Sequence, residues 1–262
     1  MYEQLTSLDI KILMIGAFGI GFAKSGFAAV SMVHVITFAA VFGAKPSTGI
    51  LLPLLIVGDV LAVIYFGKHV KWSYVWRLMG PAAVGVALGT VLMDYLDERA
   101  FKPLVGAIIF GLTCMQLIRK FKPTFLENVP HAAWFIWSMG ILAGVTTMVA
   151  NAAGPIIAIY FVAVSMPKFE FTGTSAWYFL ILNSFKVPFS VYLKLISLES
   201  VLLDLSLTPI VFLGLLTGRA AVHRIHQKWF DALLLVFTAT ASLGMMGLYE
   251  WIAAAWQTFV TP

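Results

Sequence analysis

Apolar runs separated by short charged or proline-containing breaks fill the chain almost from end to end. Their lengths predict helices over about 46–67, 72–94 and 99–120, and again over 170–193, 200–219 and 229–249. Each has close to the roughly 20 mainly apolar residues that cross a hydrocarbon core. Two other runs, 10–43 and 132–166, are too long for one ordinary crossing, since a continuous helix of that length would reach about 50 Å. Both are interrupted by small and helix-disfavouring residues, Ala23-Lys24-Ser25-Gly26 in the first and Asn151-Ala152-Ala153-Gly154-Pro155 in the second. They are predicted to dip into the membrane and return as broken hairpins.

The two halves carry the same features in the same order. After the first broken run come Thr48-Gly49, then Asp59, then Pro81 followed by Gly85 and Gly89. After the second come Thr172-Gly173, then Asn183, then Pro209 followed by Gly214 and Gly218. Ordered matches of this kind mark an internal duplication whose residue identity has faded. Residues 1–122 and 123–262 are accordingly expected to form two repeats of one membrane domain.

Charge then orients the repeats. With Lys24 and Lys186 set aside as intramembrane, 15 Lys and Arg remain. Crossing segments would divide them 8 to 7, whereas re-entrant hairpins divide them 10 to 5, the kind of bias that positive-inside topology produces. Each repeat is then a hairpin plus three spanning helices. That odd number of crossings inverts the second repeat relative to the first and puts both termini outside. The fold class expected is an all-α polytopic membrane protein whose hairpin tips meet near the middle, as in helical carriers.

Composition agrees with the pattern and narrows the function classes. Apolar residues make up 61% of the chain and charged residues 11%, too little polar material to cover a water-exposed surface. The net charge of +5 comes mostly from short loops beside apolar runs, so orientation explains it and no nucleic-acid partner is expected. Met1–Ile10 lacks the basic start and small-residue cleavage site of a signal peptide. Cys114 is the single cysteine, which leaves no intrachain disulfide and no thiolate cluster. Neither a metal nor another cofactor is expected. Most tryptophans, including Trp72, Trp76, Trp134, Trp137, Trp229, Trp251 and Trp256, fall near span ends as an interfacial belt would place them.

Lys24 is the most informative residue. Counted from Asp9 it lies roughly 22 Å along a helix, at a depth where an ammonium persists beside a partner or a water-filled path. A bound anion would balance it, and so would an internal carboxylate such as Asp59. The breaks suit an anion as well, because a half-helix beginning there presents free N–H groups and the positive end of its dipole. Ser25 and Gly26 at one break, and Asn151 and Gly154 at the other, are candidate binding residues. Ser31, His34 and Thr37 recur at three-residue spacing and are expected to share a helix face, with Ser31 and His34 as candidate contacts. Thr146 and Thr147 precede the second break. Asp59 is a candidate for carrying a coupling proton or for pairing with Lys24 or Lys186, and its counterpart Asn183 is neutral. Lys186, two residues before Pro188, is a second candidate cation on the substrate path.

The segments Gly19 to Val35 (GIGFAKSGFAAVSMVHV), Gly80 to Gly89 (GPAAVGVALG), Asn151 to Phe161 (NAAGPIIAIYF) and Gly214 to His226 (GLLTGRAAVHRIH) are similar to those of the TauE/SafE family of sulfite and organosulfonate exporters, a family that includes 4-toluene sulfonate uptake permease-like transporters. The resemblance covers almost the whole chain. It implies a secondary carrier of small sulfur-containing anions in a bacterial cytoplasmic membrane, with proton coupling, alternating access and a homodimer as open possibilities. Family members often carry a run of glycines at the first break, where this chain has Ala23-Lys24-Ser25, so a carboxylate is an alternative substrate. An anion channel is the nearest rival. An intramembrane enzyme has less behind it, since the chain holds neither a G-x-S-x-G elbow nor an HExxH motif.

Overall fold

The computed structural model describes residues 5–27, 30–122 and 133–221, together with residues 236, 239, 240 and 242–248. The predicted helix over 229–249 lies largely outside the described residues, as do Trp229, Trp251 and Trp256. The described chain is helical throughout, with no strand. Helices α1 (Ser7–Lys24) and α2 (Ser31–Phe42) form the first broken run, followed by α3 (Ala44–Phe66), α4 (Trp72–Tyr95) and α5 (Glu98–Phe121). Helices α6 (Ala133–Ala150) and α7 (Gly154–Ala163) form the second, followed by α8 (Lys168–Tyr192) and α9 (Leu198–Ala221). Among the described residues four helical stretches, Ala44–His69, Trp72–Tyr95, Ala133–Ala150 and Leu198–Ala221, are long and apolar enough to cross a membrane. The protein is a polytopic helical membrane protein.

Local chemistry sets the ends. Thr6 caps α1 and Asp9 closes a capping box with it. Asp97 accepts from Ala100 N–H at the start of α5. Gly43, at φ 88°, makes the sharp corner between α2 and α3. Glu98 then reaches back to the N-terminus of α3, accepting from the N–H groups of Ala44 at 2.7 Å and Lys45 at 3.2 Å. Both breaks turn through backbone of positive φ, at Gly26 (114°) and Asn151 (50°). Asparagine is one of the few side chains that tolerate this region.

Both broken runs fold back on themselves. Gly16 of α1 faces Thr37 and Phe38 of α2, and Gly19 faces Val30 and Val33, so the arms are antiparallel. In the second run the ring of Phe135, near the start of α6, stacks on Tyr160, near the end of α7, at 5.9 Å.

The halves interlock crosswise: α1 packs mainly on α9, and α6 on α4. Glycines make both contacts close. A Cβ at Gly85 would strike the carbonyl of Ile141, and one at Gly144 the carbonyl of Ala82. The same happens between Gly21 and the carbonyl of Val211, and between Gly214 and that of Phe18. Between these pairs run α3 and α8, also antiparallel. Gly49 at the start of α3 abuts Leu195 just past the end of α8, and Gly173 near the start of α8 abuts Phe66 and His69 at the end of α3. Exposed Trp72, Trp76, Trp134 and Trp137 sit at helix ends, where an amphipathic ring suits a membrane interface.

Candidate functional site

Asp59 and Asn183 meet halfway along the α3–α8 crossing. Asp59 is fully buried. One of its oxygens, Oδ1, pairs with Lys24 Nζ at 2.5 Å, and Oδ2 accepts from the amide of Asn183 at 2.6 Å. The carbonyl of Asn183 faces the other way, toward Lys186 Nζ at 3.4 Å. Lys186 is 1% exposed, and its ammonium also donates to Asn151 Oδ1 at 2.5 Å and Thr147 Oγ1 at 3.2 Å. Asn151 completes the chain by donating from Nδ2 to the Thr48 carbonyl at 2.9 Å. One continuous polar line therefore links the tip of the first hairpin, through α3 and α8, to the tip of the second. Amide orientations fit their neighbours along it, oxygen toward ammonium and NH2 toward carboxylate or carbonyl.

A cavity of about 90 Å³ lies against this line. Both hairpin tips reach it, through Ala23, Lys24 and Gly26 on one side and Asn151, Ala153 and Gly154 on the other. The two hairpins come together where Gly154 faces the Ser31 side chain. Polar groups on the wall come from Ser31 and His34 of α2 and from Thr172, Ser175 and Asn183 of α8. Leu55, Ala62, Ala176, Phe171 and Phe179 form its apolar part. Lys24 is 16% exposed, and its ammonium lies 4.9 Å from the centre of the Phe179 ring, a cation–π contact that holds the side chain across the cavity floor. His34 is buried, and among the described residues neither ring nitrogen has a hydrogen-bond partner. Both are free to meet a ligand or water. No three His, Cys, Asp or Glu side chains among the described residues gather where they could hold a metal ion.

The family model for the sulfite exporter TauE/SafE matches residues 13–245. The chain belongs to the TauE/SafE family. The match takes in the second hairpin, the first from Leu13 onward and every residue of the polar line, and the family makes the protein a membrane transporter. No curated protein and no solved structure matches the chain significantly.

Within this TauE/SafE protein the candidate residues separate into three groups. Lys24, Gly26, Ser31, His34, Asn151, Gly154 and Asn183 line the cavity, as does Thr147. Asp59 and Lys186 stand behind the wall and act on the cavity through Lys24, Asn183, Asn151 and Thr147. Ser25 turns away: its hydroxyl donates to the Phe22 carbonyl at 2.7 Å and fills the space that Gly218 of α9 leaves open. Thr37 also departs from the expected face. It bonds back to the Val33 and His34 carbonyls and packs on Gly16 of α1. Three-residue steps lag a helical turn by about 60° each, so Ser31 and His34 can share a wall while Thr37 has rotated off it.

Sequence reasoning missed the α8 wall of Thr172, Ser175 and Phe179, although the polar run Thr172-Gly173-Thr174-Ser175 in an apolar helix was a usable signal. It also missed Asp204 in α9, a carboxylate 2% exposed.

Proposed function

We propose that this TauE/SafE protein is a secondary carrier of small sulfur-containing anions, sulfite or organosulfonates, that binds its substrate between the two hairpin tips. The observation that carries the reading is the convergence of both tips on one cavity with an ammonium, Lys24, in its wall. Residues 1–122 and 123–262 act as two inverted repeats in this reading. The support is the antiparallel crossing of α3 and α8 at Asp59 and Asn183, with α1 on α9 matched by α6 on α4. A two-fold axis in the membrane plane would relate these contacts, and rocking one repeat against the other would open the cavity to each side in turn. The distribution of Lys and Arg supports both termini facing outside, and membership of the family supports a bacterial cytoplasmic membrane.

Asp59 is the proposed coupling group, since its protonation would release Lys24 at the cavity wall. The pH dependence of uptake is therefore expected to flatten in Asp59→Asn. Retention of the wild-type pH profile in a folded Asp59→Asn protein removes proton coupling at this residue.

The reading is tested by uptake of sulfite, ethanesulfonate and acetate into vesicles containing the purified chain. Saturable uptake of a sulfur oxyanion that is lost in Lys24→Gln is expected. Large unitary currents would replace the carrier by a channel, and preference for acetate would replace the sulfur substrate by a carboxylate. Product formation without transport would favour an intramembrane enzyme.

A further inference from the structure

The charge on the buried polar line does not balance. Lys24 has a carboxylate partner in Asp59, whose second oxygen is taken by the neutral amide of Asn183. Lys186 has none. Its three partners, Thr147 Oγ1, Asn151 Oδ1 and Asn183 Oδ1, are neutral oxygens. Three acceptors around one nitrogen suit an ammonium, which has three donors and no lone pair. The groups that face the cluster are Lys24 from α1, His34 from α2, Asp59 from α3, and Thr147 and Asn151 from α6 and the tip beyond it. Helix α4 also packs on α8, and α9, with the buried carboxylate of Asp204, packs on α1 and α3, but no charged side chain of α4 or α9 bonds into the cluster among the described residues. His34 has no carboxylate beside it among the described residues and is counted neutral. Two ammonium groups and one carboxylate leave a single positive charge, buried where an uncompensated ion is costly.

We propose that the cavity selects monovalent anions over divalent anions of the same size, because the cluster behind it carries one uncompensated positive charge, that of Lys186. This rests on the anion-carrier reading above. Lys186 is a positioning residue, set behind the wall, and its field reaches the ligand through Asn151, Asn183 and Thr147. A monoanion brings cluster and ligand to neutrality, so the loaded cavity can close away from water. A dianion leaves a net negative charge in the closed cavity. It also has roughly four times the dehydration cost, since Born solvation grows with the square of the charge.

Methanesulfonate and sulfate make the probe pair, being tetrahedral, similar in size and different in charge. Their binding to the purified full-length chain is measured at mildly acidic pH, with thermal unfolding in detergent as the check on folding. Wild type is expected to prefer methanesulfonate. Asp59→Asn raises the cluster charge by one and moves the preference toward sulfate by about tenfold or more. Asn183→Asp lowers the charge by one and weakens methanesulfonate by about tenfold or more. Lys24→Gln has the same cluster charge as Asn183→Asp, and adding Asp59→Asn to it restores the single charge. The double variant should therefore show the wild-type preference for methanesulfonate over sulfate, at the lower affinity left once the Lys24 ammonium is gone from the wall. An unchanged ratio in Asp59→Asn together with undiminished methanesulfonate binding in Asn183→Asp, both proteins being folded, overturns the charge count. A double variant that binds the probes but prefers sulfate overturns it as well. If wild type binds neither probe, the anion-carrier reading falls and this inference with it.

Discussion

Gly144→Leu is expected to lower the midpoint of thermal unfolding in detergent sharply, with a loss of about 3 kcal/mol or more. At Gly144 a Cβ would run into the Ala82 carbonyl and lie 2.8 Å from the Cα of Gly85. The obstacle is backbone on both counts, so no rotamer change relieves it and the helices must separate. In a bilayer that separation is not repaired by hydrophobic burial, because lipid tails are as apolar as the side chains they replace; close van der Waals packing is what joins the helices. Leucine also favours helix over glycine by close to 1 kcal/mol, which acts against the loss and makes a large net effect more telling. Gly80→Leu and Gly111→Leu are the controls, since a Cβ at either meets nothing within 4 Å. Equal destabilisation by Gly80→Leu and Gly144→Leu would show that the α4–α6 approach contributes nothing particular to the fold.

The same glycines show what could be read from the chain. Small residues four apart declare a close helix contact, but not which helix supplies the other side. Nothing in the spacing says that Gly85 faces Gly144 while Gly214 faces α1. Helix ends were legible because caps and corners are local. The run predicted over 72–94 is the helix Trp72–Tyr95, and the one over 99–120 is Glu98–Phe121, started by the Asp97 cap. The breaks were legible for the same reason, since Gly26 and Asn151 are residue types that accept positive φ. Side-chain direction was much less so. Helices here bury residues around much of their circumference, and an apolar run without a polar stripe gives no phase from which to decide that Ser25 points at α9 or that Lys186 stands behind the cavity wall. Asp204 shows the limit most plainly. A carboxylate among Leu203, Leu205 and Leu207 announces a special position, and only the packing of α9 on α1 and α3 tells where that position is.

The polar line leads to the second large effect, a pair of substitutions expected to act in opposite directions on stability. Asp59→Ala deletes the one carboxylate in the cluster and leaves two ammonium groups facing neutral oxygens and an aromatic ring. Breaking a buried pair from one side costs about 3 to 5 kcal/mol, and thermal unfolding should show it as a large drop in midpoint, with little folded carrier left to assay. Lys186→Met removes the unpaired charge instead. Asn151, Asn183 and Thr147 each lose a donor, at a cost set by how well water from the cavity replaces it. Against that, a linear apolar side chain of similar length takes the place of a buried ion that had no counter-charge. The expected result is an unfolding midpoint equal to or above that of wild type, combined with loss of anion uptake. This combination, greater stability with lost function, is what a residue kept for its charge should give. A Lys186→Met protein that unfolds as readily as Asp59→Ala would instead make the ammonium a structural tie between Asn151 and α8. The charge that draws the anion would then have to be sought at Lys24.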